Sequence, residues 1–245
     1  FGNIYTAMGI SANPDTTLLT KMDAAGNVIW QKKLSCQTLD IEVGSGLVVI
    51  GGYFTGSAGF GNGVLTSAGN EDGFVAAYNL SGNLLWVQQS AGLYYNAVTS
   101  LAINPSDEVF VSVASDTASS FAGIRFSRGL GVCVFDPEGI LINDFEIQGR
   151  IFYSKLSIDL ANNIYLLGRY REPHLNVGGI NISCSDNFYG SFYFAKLMKS
   201  GKAYWAFDEG SGYRRELGNV RVAASGNIYL TETNVFTQAT LYKYT

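Results

Sequence analysis

Few side chains in this chain could converge on a reacting group. There is one histidine, His174, so a Ser-His-Asp hydrolysis or a general acid–base step near neutral pH would have to pass through it. Its neighbours Glu172 and Pro173 read as a long solvated loop rather than a catalytic setting. Cys36, Cys133 and Cys184 are odd in number and widely spaced, which fits neither a disulfide framework nor a CxxC metal site, and they are expected to be small buried or half-buried thiols. The carboxylate pairs Asp40 with Glu42 and Asp208 with Glu209 lack the alternating oxygen pattern of a calcium loop and read as solvated turns. Gly59 to Gly63 carries no phosphate-loop lysine and does not lead into a helix, so it offers no nucleotide cradle. The residues therefore imply no catalytic group, no metal and no cofactor.

The elements that would position any site are strands. The chain has 245 residues, 47% hydrophobic and 13% aromatic, with 29 glycines and 4 prolines, a mix suited to many short strands joined by tight turns. Sixteen Lys and Arg against twenty Asp and Glu give a net charge of −4, and no basic run tracks a phosphate backbone, so nucleic acid is not an expected partner. No apolar run reaches the roughly 18 residues of a membrane-spanning helix. The first residue is Phe1, with no initiator Met or signal peptide before it, and is read as the start of a processed protein or a fragment.

Two cassettes recur along the chain. One is an apolar strand entered through a turn: Gly2 to Tyr5, Gly46 to Gly52, Asp107 to Val111, Asn162 to Gly168 and Gly226 to Leu230. The other is a hairpin, Leu19 to Trp30, Phe74 to Trp86, Val132 to Asn143 and Phe194 to Trp205, whose turn glycines Gly26, Gly82, Gly139 and Gly201 recur at intervals of about 56 to 62 residues. Alternating segments such as Ala97 to Ile103 and Leu156 to Leu160 supply a further strand. Each unit thus holds four strands, a to d. Strand b is apolar at nearly every position, as a strand covered on both faces requires, and radially stacked blades supply that cover.

The expected fold is all-β, a single β-propeller domain over 1–245 of four-stranded antiparallel blades, with boundaries near 1–36, 37–92, 93–149, 150–212 and 213–245. The first blade lacks strand a and the last lacks strand d. Because ring closure removes unpaired edges, the chain is expected to continue past at least one end, as part of a larger ring. The other reading is an irregular five-bladed ring with two three-stranded blades.

The run Gly52-Tyr53-Phe54-Thr55-Gly56, Phe60 to Gly63, Leu65 to Gly69, Asp72 to Ala76 and Ser81 to Trp86 resembles the bacterial β-propeller repeat known as SBBP, and the fourth blade follows it loosely through Val177 to Gly179, Ile182 to Asp186 and Trp205. That resemblance implies a secreted or cell-surface bacterial scaffold or adhesion module, of the kind exported by type IX secretion in Bacteroidota, and it brings no catalytic residues. Asn143 departs from it at the Trp position. Met22 to Trp30 also resembles the PQQ-like repeat of quinoprotein dehydrogenases and outer-membrane assembly propellers, though the vicinal disulfide found in many of those enzymes has no counterpart here. The Asp/Asn-x-x-Gly-x-x-x-Trp hairpins differ from the sialidase Asp-box by one extra residue on each side of the glycine.

Function is expected to follow from an asymmetry of loops. The a–b and c–d turns are short and uniform, whereas the b–c and d–a loops are long and varied, and antiparallel strands put the two classes on opposite faces. The decorated face is expected to carry Tyr94, Tyr95, Phe152, Tyr153, Tyr213, Arg214 and Arg215 from d–a loops, and Tyr170 and Arg171, with the stretch Phe121 to Arg128, from b–c loops. Exposed Tyr and Arg are typical interface anchors, and Tyr stacks on sugar rings. The sequence is read as a non-catalytic extracellular module that contacts a protein or glycan, other domains of its own chain, or the secretion machinery. The alternatives are a carbohydrate-active or quinoprotein-like propeller enzyme and an outer-membrane assembly scaffold.

Overall fold

The computed structural model describes residues 2–10, 16–61, 63–186, 188–211, 215–234 and 239–244. It is an all-β propeller of five antiparallel blades, with no helix among the described residues. The first blade holds β1 (Ile4–Gly9), β2 (Thr17–Met22) and β3 (Val28–Leu34), in strand roles b, c and d. The second holds β4 (Gln37–Val43), β5 (Leu47–Phe54), β8 (Asp72–Asn79) and β9 (Leu84–Gly92), with a hairpin of β6 (Ser57–Gly61) and β7 (Gly63–Thr66) between b and c. In the third, β10 (Asn96–Ile103), β11 (Val109–Ser115), β14 (Gly129–Phe135) and β15 (Leu141–Gln148) form the sheet, and β12 (Ser119–Phe121) and β13 (Ile124–Phe126) the inserted hairpin. The fourth repeats this plan with β16 (Ile151–Ile158), β17 (Ile164–Tyr170), β20 (Ser191–Leu197) and β21 (Ala203–Ser211), and an inserted pair β18 (His174–Val177) and β19 (Ile180–Ser183). The fifth is β22 (Arg215–Val222), β23 (Ile228–Asn234) and β24 (Ala239–Tyr244), in roles a, b and c.

The core lies between blades. Each interface is a layer of side chains from two consecutive sheets, such as Leu47, Val49 and Val75 of the second blade against Val98, Val111 and Phe135 of the third. Strands β5, β11 and β17 are almost wholly buried because they are sandwiched in this way. Each buried Val, Leu or Phe contributes about 1.5–3 kcal/mol by leaving water.

A latch repeats at the outer edge. Trp30 Nε1 of the first blade donates to Leu80 O in the c–d turn of the second (3.1 Å), and Trp86 Nε1 of the second donates to Pro137 O in the c–d turn of the third (2.9 Å). At the next interface the work is divided: Asn143 Nδ2 donates to Lys199 O (2.5 Å), while the ring of Phe145 covers Gly201. The departure from the Trp pattern at Asn143 therefore keeps the hydrogen bond and moves the aromatic face two residues along the strand, on the same side of the sheet.

The b–c connections of the second, third and fourth blades, expected to be long and varied, carry inserted hairpins. Phe121 and Phe126 are buried rather than displayed, because β12 adds to the outer edge of β9 and makes the second blade a six-stranded sheet. His174 opens β18, exposed, with Nδ1 3.2 Å from Ser183 Oγ, so it lies on a strand rather than a loop.

Candidate binding surface

The innermost strands β4, β10, β16 and β22 run from the long-loop face to the short-turn face, and each carries a β-bulge. In β16 the bulge falls between Ile151 and Tyr153, which leaves Phe152 out of register with β17 and 41% exposed at the long-loop end. Around it the structure gathers a connected patch from the third and fourth blades. Arg150 stacks over the Phe152 ring (5.1 Å), and its backbone N–H donates to Glu172 Oε1 (3.1 Å). Glu172 also holds Arg128 (2.5 Å). Arg171 N–H donates to Arg150 O (2.9 Å), and the Arg171 guanidinium sits over Phe188 (5.8 Å). Phe188 is 69% exposed and packs edge-on against Tyr189, whose carbonyl accepts from Arg169. The result is four guanidinium groups and three aromatic rings on one face, in a chain whose net charge is −4.

Of the residues expected on this face, Phe152 and Arg171 belong to the patch, as does Arg128 at the end of the expected stretch from Phe121. Tyr94 is 54% exposed beside Leu93 in the loop between the second and third blades. Tyr95 is half-buried and packs on Tyr53 (6.0 Å), and burial, then the nearby Glu71 carboxylate, pushes its phenol up to about 12. Tyr170 lies at the end of β17 with no exposed surface, so it cannot touch a partner; its hydroxyl donates to Asp208 Oδ2 (2.7 Å). Tyr153 turns toward the channel, where burial and then the Asp40 carboxylate push its phenol up to about 12. Tyr213 and Arg214 lie outside the described residues, and Arg215 is described only as the first residue of β22. Arg169, Phe188 and Tyr189 were missed. The signal for the two aromatics was their adjacency within the polar run from Ser183 to Gly190, where no strand alternation explains them.

The carboxylate pairs are not solvated turns. Asp40 and Glu42 lie on the same side of β4, facing the channel. Asp40 Oδ2 accepts from Ser100 Oγ and from Leu101 N–H, both at 2.9 Å. Glu42 pairs with Arg221 of β22, from the second blade to the fifth, and burial still raises its pKa against the pull of that guanidinium. Lys155 of β16 donates to Thr99 O (3.1 Å), and burial lowers its pKa. Asp208 sits in β21, accepting from Tyr170 and from Ser185 Oγ (2.9 Å). At the short-turn mouth of the channel, Gly44, Asn104, Asp159 and Ala223 line a cavity of about 350 Å³. Cys36 and Cys133 are buried thiols and Cys184 is half-buried.

No family model matches the chain, and no curated protein sequence does. Among solved structures, the chain is similar to a protein of unknown function from Bacteroides caccae (9% identity, TM-score 0.42, covering 93% of this chain and 81% of that one). It is also similar to a Synechocystis apocarotenoid oxygenase (10%, TM-score 0.45), of which it spans 59% while 98% of its own length is covered. BamB from Moraxella catarrhalis is a third (12%, TM-score 0.33, covering 100% of this chain and 87% of that one). The fold assignment rests on the strand topology above.

Proposed function

We propose that this propeller is a non-catalytic binding module of a secreted or cell-surface bacterial protein, and that the patch around Phe152 and Phe188 is where it holds a protein or glycan partner. One observation carries the reading: exposed rings with guanidinium groups stacked on them, joined across two blades by Glu172. Such an assembly presents flat apolar faces for a sugar ring or an apolar side chain, with positive charge beside them for a carboxylate. An acidic glycan or an acidic protein surface fits that chemistry. The extracellular setting is supported by the SBBP-like run from Gly52 to Trp86.

The test is a glycan array and a surface-protein panel probed with the wild-type chain and with a Phe152→Ala, Phe188→Ala variant. Both side chains are exposed, so thermal stability should stay within a few degrees. Binding should fall at least about tenfold and weaken with added salt. Binding that is unchanged in the variant would place the partner elsewhere. Surface labelling of intact cells with a membrane-impermeant reagent should tag the native protein, and labelling only after lysis would remove the extracellular half of the reading.

A further inference from the structure

The cavity at the short-turn mouth of the channel is walled by side chains of the second to fifth blades. Val43, Ile103, Ile158 and Val222, the last residues of β4, β10, β16 and β22, line it, one from each blade. These four strands are joined at every seam: Asp40 to Leu101 N–H, Ser100 to Leu156 N–H, Ser157 to Val222 N–H, and Arg221 to Glu42. Ile103, Ile158 and Val222 also pack into the layers between blades, which fixes the wall in place. Val43 nevertheless stays 45% exposed, and Leu160 beside it on the lining 69%.

We propose that this mouth is a binding site for a small, uncharged, mainly apolar molecule, with its apolar part seated among the four aliphatic side chains. Size sets the first limit. A cavity of about 150 Å³ holds one benzene ring, so the 350 Å³ here takes two fused rings and falls within the range of ligand pockets, about 300–1,000 Å³. Charge sets the second, because the polar side chains of the lining are already committed. Ser45 Oγ donates to Asp107 Oδ2 (2.7 Å). Asn104 accepts from Ser106 and Glu108 N–H through Oδ1 and donates through Nδ2 to Glu108 and Asn162. Asp159 accepts from Ala161 and Asn163 and pairs with Lys196 (3.4 Å). One residue deeper, Glu42 and Arg221 hold each other. A ligand charge would therefore lose its water and find no partner. This site lies on the opposite face from the patch around Phe152 and does not depend on it.

The probe is 2-naphthalenemethanol, titrated into the intact chain with isoleucine δ1-methyl resonances followed by NMR. Those of Ile103 and Ile158, assigned from Ile103→Val and Ile158→Val variants, should shift and saturate together, while that of Ile50, buried within the second blade, stays in place. The charged counterparts 2-naphthoate and 2-naphthylmethylammonium should each bind at least about tenfold more weakly, a comparison that leaves the protein untouched. Val43→Phe puts a ring into the mouth from a half-exposed position, and Leu160→Asp puts a charge at an exposed one; thermal melts show that each variant folds, and either should weaken binding at least about tenfold. Unmoved Ile103 and Ile158 resonances at millimolar probe, equal binding of the charged counterparts, or an affinity that survives both substitutions would overturn the proposal.

Discussion

Gly26 and Gly139 hold the same backbone conformation, φ +86° and +83°, at equivalent c–d turns, but a Cβ at Gly26 would meet nothing within 4 Å while one at Gly139 would strike Trp86. The pair separates two costs that usually arrive together. An L side chain in this left-handed region costs about 1–2 kcal/mol, and that is the expected loss for Gly26→Ala. Gly139→Ala should lose a further ~1–3 kcal/mol, because the ring must shift and its hydrogen bond to Pro137 O must stretch. Urea denaturation of both variants measures the difference. Equal losses would mean that the ring gives way freely and that the glycine is required by φ alone. Asp107 and Asn162 adopt the same region without being glycine, φ 60° and 62°, and both are residue types that tolerate it.

At the scale of the hairpin, one Asx turn is used again and again. Asp23 Oδ1 accepts from Ala25 N–H and Asn27 N–H, Asn79 Oδ1 from Ser81 and Asn83, and Asp136 Oδ1 from Glu138 and Ile140. The side-chain hydrogen bond from Asn27, joined by backbone N–H groups, holds the Asp23 carboxyl below its ordinary value. A carboxyl lowered in the folded state adds stability above its unfolded pKa of about 3.9, and that contribution is lost as pH falls through the folded value. Asp23→Asn keeps Oδ1 for the two backbone donors, as Asn79 does in the next blade, but puts an NH2 group where Oδ2 accepts from Asn27 Nδ2, so at pH 7 the charge and that one side-chain bond should disappear together. The gap between wild type and variant, followed by denaturation from pH 7 to pH 2, should close on the acid side. A gap independent of pH would show that the charge at Asp23 is irrelevant. Turns of this kind were legible in the sequence because glycine, Asx and their spacing are local chemistry. What was not legible depends on a neighbouring blade: Asn143 and Phe145 sharing the role of one tryptophan, Phe121 and Phe126 buried by strand addition to β9, and Asp40 and Glu42 turned into the channel. Arg150 and Phe152 could be read as one cluster because they are adjacent in the chain. Their link to Arg169, Phe188 and Tyr189 depends on the path between blades.

Across the whole molecule, consecutive blades are tied in series by side-chain oxygens, Thr17 on β2 in the first blade and the innermost strands in the others. Thr17 Oγ1 accepts from Thr38 N–H (3.1 Å), Asp40 Oδ2 from Leu101 N–H (2.9 Å), Ser100 Oγ from Leu156 N–H (3.2 Å) and Ser157 Oγ from Val222 N–H (3.2 Å). These bonds join the first blade to the second, the second to the third, and so on to the fifth, and the Glu42–Arg221 pair spans from the second to the fifth. In a repeat protein, stability is close to a sum of blade terms and nearest-neighbour terms, and this series belongs to the second kind. Ser100 is its most connected member, since the same hydroxyl donates to Asp40 Oδ2 and accepts from the fourth blade. Ser100→Ala leaves the Leu156 N–H buried without its acceptor, which costs about 1–3 kcal/mol, against less than ~0.5 kcal/mol for the exposed Ser106→Ala. If the series couples blades, the loss will not stay in the third. Hydrogen exchange should quicken in β4 and β16 as well as β10, and the denaturation transition should broaden as the two halves of the ring begin to unfold separately. Exchange that quickens in β10 alone would mean that the blades are held together by their apolar layers and that the polar series only fixes their register.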